Sequence, residues 1–519
     1  MSYDIVIKNG DIISMDKHLS VYKWVAIEGD KISALGSDDK APEGKKVIDL
    51  NGRAVLPGMS DCHVHVVCAG LEEMSVNLLN AVSMQEIFGL VEQECKRIPG
   101  DDWVIAMNYV PQSMVREEDR RYPDKWELDK LSHGHKVMII ANTLHGVCVN
   151  SAAADLINVP ADLPGVEMKD GETAGIYVSD DSAFAALGNM LASQSDEILW
   201  GYIKTCVNTA ISRGATMMHG LFGQFVSGDR DIDLILERKK ELPITMVEYY
   251  QTWDVDKVKA IGWPRIGGCL TLDGSLFEYT QCNFDPFVDV PSKRGLLYHS
   301  DLEIYDFVKK AHLNGMQVAM HALGDRAIDQ LIYIYRQIFM EEGRRDIRHR
   351  IEHFATPTQA QIEMAKDLGL ILSMQPGPST TWDRADGGEF EVVLGRKGAD
   401  NWDPMKKIID AGNFICSGSD APIVPVNPVR DIIALVDNAN PCRNIDLDTA
   451  VKSVTINAAY TAGLEEIKGS IEIGKFADMA VMNMNPYDAV GTPAFSNLDV
   501  EMTIWEGKIV YEKNESNSK

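Results

Sequence analysis

Eight short apolar runs alternate with helical stretches through the middle of this chain, and that alternation restricts its fold more than any other feature. The runs lie near 54–62, 215–219, 244–250, 268–273, 317–321, 350–354, 370–375 and 414–419, and helical segments at 301–314, 325–341, 358–368 and 404–411 separate the later ones. Apolar runs of strand length divided by helices are the pattern of parallel βα units. Eight such units are the count of an α/β (β/α)8 TIM barrel. The interval of about 150 residues between the first and second runs is too long for one crossover. Residues 75–200 therefore read as an inserted subdomain, with strands at 103–106 and 137–140. At both ends of the chain, short β runs flank Asn9-Gly10, Glu28-Gly29-Asp30 and Glu506-Gly507-Lys508, which are hairpin signals. Segments 1–56 and 464–519 are expected to build one small β-sandwich, leaving 57–463 for the barrel.

The formal charge of −27 argues against partners recognised through phosphate backbones or anionic lipid heads, and reads as a solubility device. No run of eighteen apolar residues suggests a membrane span. The N-terminus has neither the basic nor the apolar region of a secretory signal. Nine cysteines without CxxC spacing fit reduced thiols. A cytoplasmic enzyme of a small molecule is the expectation, with a homodimer as the default assembly.

Barrel enzymes place their chemistry at the C-terminal ends of the strands. Here the first strand ends in Asp61-Cys62-His63-Val64-His65, where residues two apart point the same way and both imidazoles can reach one ion. The second ends in His219, the fifth in His321, the sixth in His353 and the eighth in Asp420, and the fourth carries Cys269 and Asp273. One histidine at a strand end is usually a satisfied core residue. Several converging with an aspartate suit zinc or a similar divalent ion. Such an ion lowers the pKa of bound water to about 7, giving an attacking hydroxide. A carboxylate beside it, here Asp420, can carry the proton to a leaving nitrogen.

The ordered pieces Leu56-Pro57-Gly58-Met59-Ser60-Asp61-Cys62-His63-Val64-His65, Leu272-Asp273-Gly274-Ser275, His321-Ala322-Leu323-Gly324-Asp325-Arg326, Arg350-Ile351-Glu352-His353, Gly418-Ser419-Asp420-Ala421-Pro422 and Gly469-Ser470-Ile471-Glu472-Ile473-Gly474 resemble the amidohydrolase superfamily, in its branch of YtcJ-like metal-dependent hydrolases. The resemblance covers nearly the whole chain. It implies a barrel with a sandwich of both termini, and hydrolysis of a C–N bond of amide, N-acyl, imide or urea type. It also implies that His63, His65 and Asp420 bind a first metal, and that His321 and His353 bind a second or support the first. Members of this branch often carry a lysine four residues before the Asp-Gly of strand four; this chain has Cys269 there. Either the thiolate is a ligand, or the site holds one metal and Cys269 is a small buried thiol.

Further candidates face the substrate. His145 lies in a His…Val-Asn-Ser segment of the insert that resembles a family segment closing over substrate. His219, Asp273, Tyr279 and Trp382 stand at strand ends or on long aromatic loops; packing the loops is the alternative for the aromatics, and a structural role for the two histidines. Asp325 reads as a helix N-cap. A deaminase, a lyase or isomerase on the same scaffold, and a barrel that has lost its metal are the competing readings.

Overall fold

The structure is a computed structural model that describes residues 2–382 and 388–513; the tail 514–519 lies outside the described residues. The chain divides into two compact units, one of residues 1–64, 207–221 and 240–519, the other of 65–206 and 222–239.

Strands from both termini share one eight-stranded sheet in the first unit. Tyr3–Ile13 pairs antiparallel with Val21–Glu28, which turns through Gly29-Asp30 into Lys31–Gly36. Gly29 has φ of 61°, the left-handed backbone that glycine adopts without strain. Val500–Trp505 and Lys508–Glu512 form the closing hairpin. Asn9-Gly10 is not a hairpin turn. Tyr3–Ile13 runs through it as one strand with a register shift between Lys8 and Ile12. The extra residues are absorbed as a bulge, and Gly10 lets the strand lie against the Arg53 carbonyl.

The barrel strands are β1 (Met59–His65), β2 (Ala215–Gly223), β3 (Thr245–Gln251), β4 (Arg265–Thr271), β5 (Gln317–Ala322), β6 (Arg350–His353), β7 (Ile371–Met374) and β8 (Phe414–Ser417). They pair in chain order as one eight-stranded sheet, with parallel registers from β3 to β8. The first apolar run divides differently from the sequence expectation. Ala54–Pro57 belongs to the terminal sheet, and only Met59 onward enters the barrel. Gly58 separates them, its N–H donating to the Asp478 carbonyl.

The barrel closes just beyond β8. The Asp420 N–H donates to the His63 carbonyl at 2.9 Å, and Val64 bridges Ala421 in parallel. The buried Asp61 carboxylate reinforces the seam, its Oδ1 accepting from the N–H groups of Ser419 (3.0 Å) and His63 (3.1 Å). Gly418 is required by the same approach: a Cβ there would lie 2.5 Å from the His63 nitrogen and 2.6 Å from Asp61 Oδ1.

The second unit contains a six-stranded sheet in the order 166–169, 172–177, 147–149, 136–141, 103–109, 76–77. Helix Met84–Arg97 buries Ile87 and Val91 in a core with Val104, Ala106, Val137 and Ile139. Ser83 caps it by accepting from the Glu86 N–H. No helix among the described residues is long and apolar enough to cross a membrane.

Candidate metal centre

Arg350 and Glu352 alternate along β6 and are both fully buried. An isolated buried charge is costly, and here the two charges neutralise each other. Arg350 Nε and Nη2 donate to the two oxygens of Glu352 at 2.7 Å each. The remaining guanidinium donors reach four other strands: His219 Nδ1 (3.0 Å), the Tyr249 hydroxyl (2.8 Å), the Cys62 carbonyl (2.9 Å) and Ser373 Oγ (2.7 Å). Arginine can only donate, so His219 Nδ1 is an acceptor there. Burial, and then Arg350, holds the His219 imidazole well below its ordinary pKa. Glu352 is lowered to about 2, because Arg350 and His63 outweigh the cost of burying it.

Glu352 Oε2 also lies 2.7 Å from Nδ1 of His63. An Nδ1–H donated to that carboxylate leaves the Nε2 lone pair of His63 directed away from it. That Nε2 lies 3.3 Å from Asp420 Oδ1. His63, His353 and Asp420 offer three ligand atoms all within 4.8 Å of one another. The ring centroids of His353 are 5.1 Å from His63 and 4.5 Å from His321, and Cys269 Sγ is 3.8 Å from His353 Nε2. His321 has its own carboxylate, Asp273 Oδ1, at 3.3 Å from Nδ1. The hydrogen-bonded carboxylate behind His63 fixes its tautomer and raises its basicity, as in carboxylate–histidine–metal sites.

Backbone conformation brings the cluster together. Neighbours on a regular strand point to opposite faces, yet Glu352 contacts His63 and His353 lies beside the same ring. His353 has φ of 72° and Phe354 of 50°, and Asp420 on the facing segment has φ of 59°. Left-handed non-glycine residues carry strain of order 1–3 kcal/mol each and collect at functional sites.

The electrostatics call for a cation. Burial opposes charge on His63, but Asp420, Cys269 and Glu352 overcome it and push its pKa well above the ordinary value. His321 is raised too, against burial, chiefly through Asp273 and Cys269. Imidazole, carboxylate and thiol donors around a region that draws in positive charge fit a divalent metal.

The sequence pattern of the amidohydrolase family matches residues 46–511. The chain belongs to the amidohydrolase family. As a member it is a metal-dependent hydrolase of carbon–nitrogen bonds other than peptide bonds. It is similar to YtcJ of Bacillus subtilis, an amidohydrolase by name, at 26% identity over 94% of this chain and 96% of the relative. It is likewise similar to the N-substituted formamide deformylase of Arthrobacter pascens, at 24% identity over 99% of both chains. The fold matches a metal-dependent hydrolase of Pyrococcus horikoshii with a TM-score of 0.76 at 22% identity, over 93% of this chain and 98% of that one.

Several residues read as substrate-facing make packing or hydrogen-bond contacts within this amidohydrolase. Asp273 is fully buried, and its oxygens accept from the N–H groups of Cys282, Leu323 and Gly324 at 2.8–3.0 Å besides lying beside His321. It holds loops beside a histidine. His219 is sealed inside the barrel against Arg350. Tyr279 donates its hydroxyl to Asp289 at 2.6 Å and sets its ring edge-on to Phe287, so it ties its loop down. Trp382 packs edge-on to Phe277. Asp325 is the first helical residue rather than the cap; Gly324 is the cap, and Asp325 Oδ1 accepts from the Phe284 N–H. In the second unit, the His65 ring stands edge-on to Phe225 at 5.0 Å, and His145 lies 5.4 Å from Phe184, which is edge-on to Phe225.

The sequence reading did not find the Arg350–Glu352 pair. The signal was present, since opposite charges two apart on a barrel strand share one face and can pair there.

Proposed function

We propose that this amidohydrolase cleaves an amide-type C–N bond of a small N-acyl compound, with zinc held by His63, His65, His321, His353, Asp420 and the thiolate of Cys269. The observation that carries the reading is the convergence of His63, His353 and Asp420, with Glu352 behind His63. His65 follows two residues after His63 on β1, where the strand period gives it the same side. Thiolate is a good zinc ligand, and Cys269 lies against His353 and contributes to the raised basicity of His63.

A divalent ion bound there would acidify a water and polarise the scissile carbonyl. Asp420, partly exposed at 16% where its partner His63 is sealed, is placed to take the proton of the attacking water and deliver it to the departing nitrogen. Glu352 holds His63 in one tautomer throughout. Full-length similarity to a deformylase of N-substituted formamides supports an acyclic N-acyl substrate over a ring deamination.

The test is incubation of zinc-loaded protein with N-formyl and N-acyl amines, cyclic imides and aminated heterocycles, with amine, acid and ammonia measured separately. Amine and acid should appear together, disappear on chelation, and be lost in Asp420→Asn. Ammonia alone would favour the deaminase, and turnover that survives chelation would overturn the proposal.

A further inference from the structure

A second site stands at the other end of the same strands. Where β6, β7 and β8 begin, a cavity of about 450 Å³ opens among the loops that lead into them, within the size range of small-molecule sites. Four cations, Arg344, Arg345, Arg348 and Lys366, line it against the single acid Asp346, in a chain whose net charge is −27. Two of the four are already engaged. Arg345 donates to the carbonyls of His312 and Leu313 at 3.2 Å each. Arg348 is paired with Glu465 (2.8 Å) and Asp346 (3.1 Å).

Arg344 and Lys366 are not. Among the described residues Arg344 makes no hydrogen bond or ion pair, and the Lys366 ammonium has only a 4.0 Å approach to its neighbour Asp367. Both are seated on glycine. The Arg344 guanidinium lies across Gly369, where a Cβ would collide with it, and Lys366 Cε would be 3.7 Å from a Cβ at Gly412. The half-buried rings of Phe414 and Tyr460, 4.9 Å apart, line the same cavity.

We infer that this cavity binds a phosphorylated aromatic small molecule of the mononucleotide class, its phosphate held by Arg344 and Lys366 and its ring against Phe414, while the Tyr460 ring carries the Arg348 guanidinium at 3.7 Å. Guanidinium matches phosphate in a bidentate fork and an ammonium adds a point charge; aromatic faces accept a planar base. The metal cluster occupies the opposite strand ends, so the two sites can be filled together.

Isothermal titration of the zinc-loaded full chain with AMP and with adenosine tests this. AMP should bind saturably and adenosine at least tenfold more weakly. R344Q/K366Q should lose at least tenfold in AMP affinity while its zinc content and ligand-free turnover match the parent. Absence of saturable AMP binding, or affinity unchanged in R344Q/K366Q, overturns the assignment.

Discussion

Nδ1 of His63 lies 2.7 Å from Oε2 of Glu352, in a part of the barrel where both side chains are wholly buried. The contact joins the first barrel strand to the sixth, across 289 residues of sequence. Through it the Arg350–Glu352 pair reaches the metal cluster, so one carboxylate serves both the fold and the site.

Glu352→Gln should therefore fail in two ways. It leaves the buried Arg350 without its counter-charge, which costs about 3–5 kcal/mol, and it weakens the acceptor behind His63, which should lower metal affinity about 10–100-fold. Denaturant unfolding reports the first and a competitive zinc chelator the second. A variant of parental stability and affinity would show that the pair is incidental.

Gly418→Ala probes the barrel seam. The new methyl would meet backbone of His63 and Cys62 and the Asp61 carboxylate, none of which can yield without opening the β1–β8 closure. The expected loss is about 1–3 kcal/mol or more, with reduced metal occupancy in the fraction that remains folded by circular dichroism. Parental melting and full occupancy would place the closure elsewhere.

Stability should also fall in mild acid through a pair of histidines at the base of the barrel. The Val318 N–H donates to His349 Nδ1 (3.0 Å), so the His349 proton sits on Nε2, facing His312 Nδ1 (2.9 Å); His312 Nε2 in turn faces the Gly343 carbonyl (3.2 Å). Both rings are thus held neutral. Burial, then His312, brings His349 down to about 3, and burial lowers His312 as well. An unfolded histidine titrates near 6.5. Between those values the unfolded chain binds the proton and the folded chain does not, so the His349 contribution is complete above about 6.5 and declines by about 1.4 kcal/mol per pH unit as pH falls toward 3. His349→Gln should be the less pH-sensitive protein between pH 7 and 5 in denaturant midpoints. Parallel profiles would refute the relay.

Tyr279→Phe separates loop packing from substrate contact. Loss of the hydroxyl donated to Asp289 should cost about 1 kcal/mol and leave KM within about twofold. A large rise in KM at unchanged stability would return Tyr279 to the substrate.

The barrel and its ligand-bearing strand ends were legible because both rest on local periodicity. Strand alternation puts His63 and His65 on one side, and eight apolar runs between helices have one common solution. The division of the first run at Gly58 was not legible, since an apolar run does not say which of two sheets takes each part. The roles of Glu352 and Asp273 were hidden for another reason. Which histidine a buried carboxylate supports is decided by strands meeting far apart in sequence, and by the positive φ at His353 and Asp420 that sets aside strand alternation. The aromatic loops carried no signal to separate packing from binding.

The central claim is a divalent metal centre built on His63, His353 and Asp420 with Cys269 as a ligand. The measurement that tests it most directly is the metal-to-chain ratio by elemental analysis after zinc loading and desalting, in the parent, His353→Ala and Cys269→Ser. The account predicts at least one ion per chain in the parent and a clear loss in both variants. A parent that retains no metal, or variants that retain as much as the parent, would contradict it.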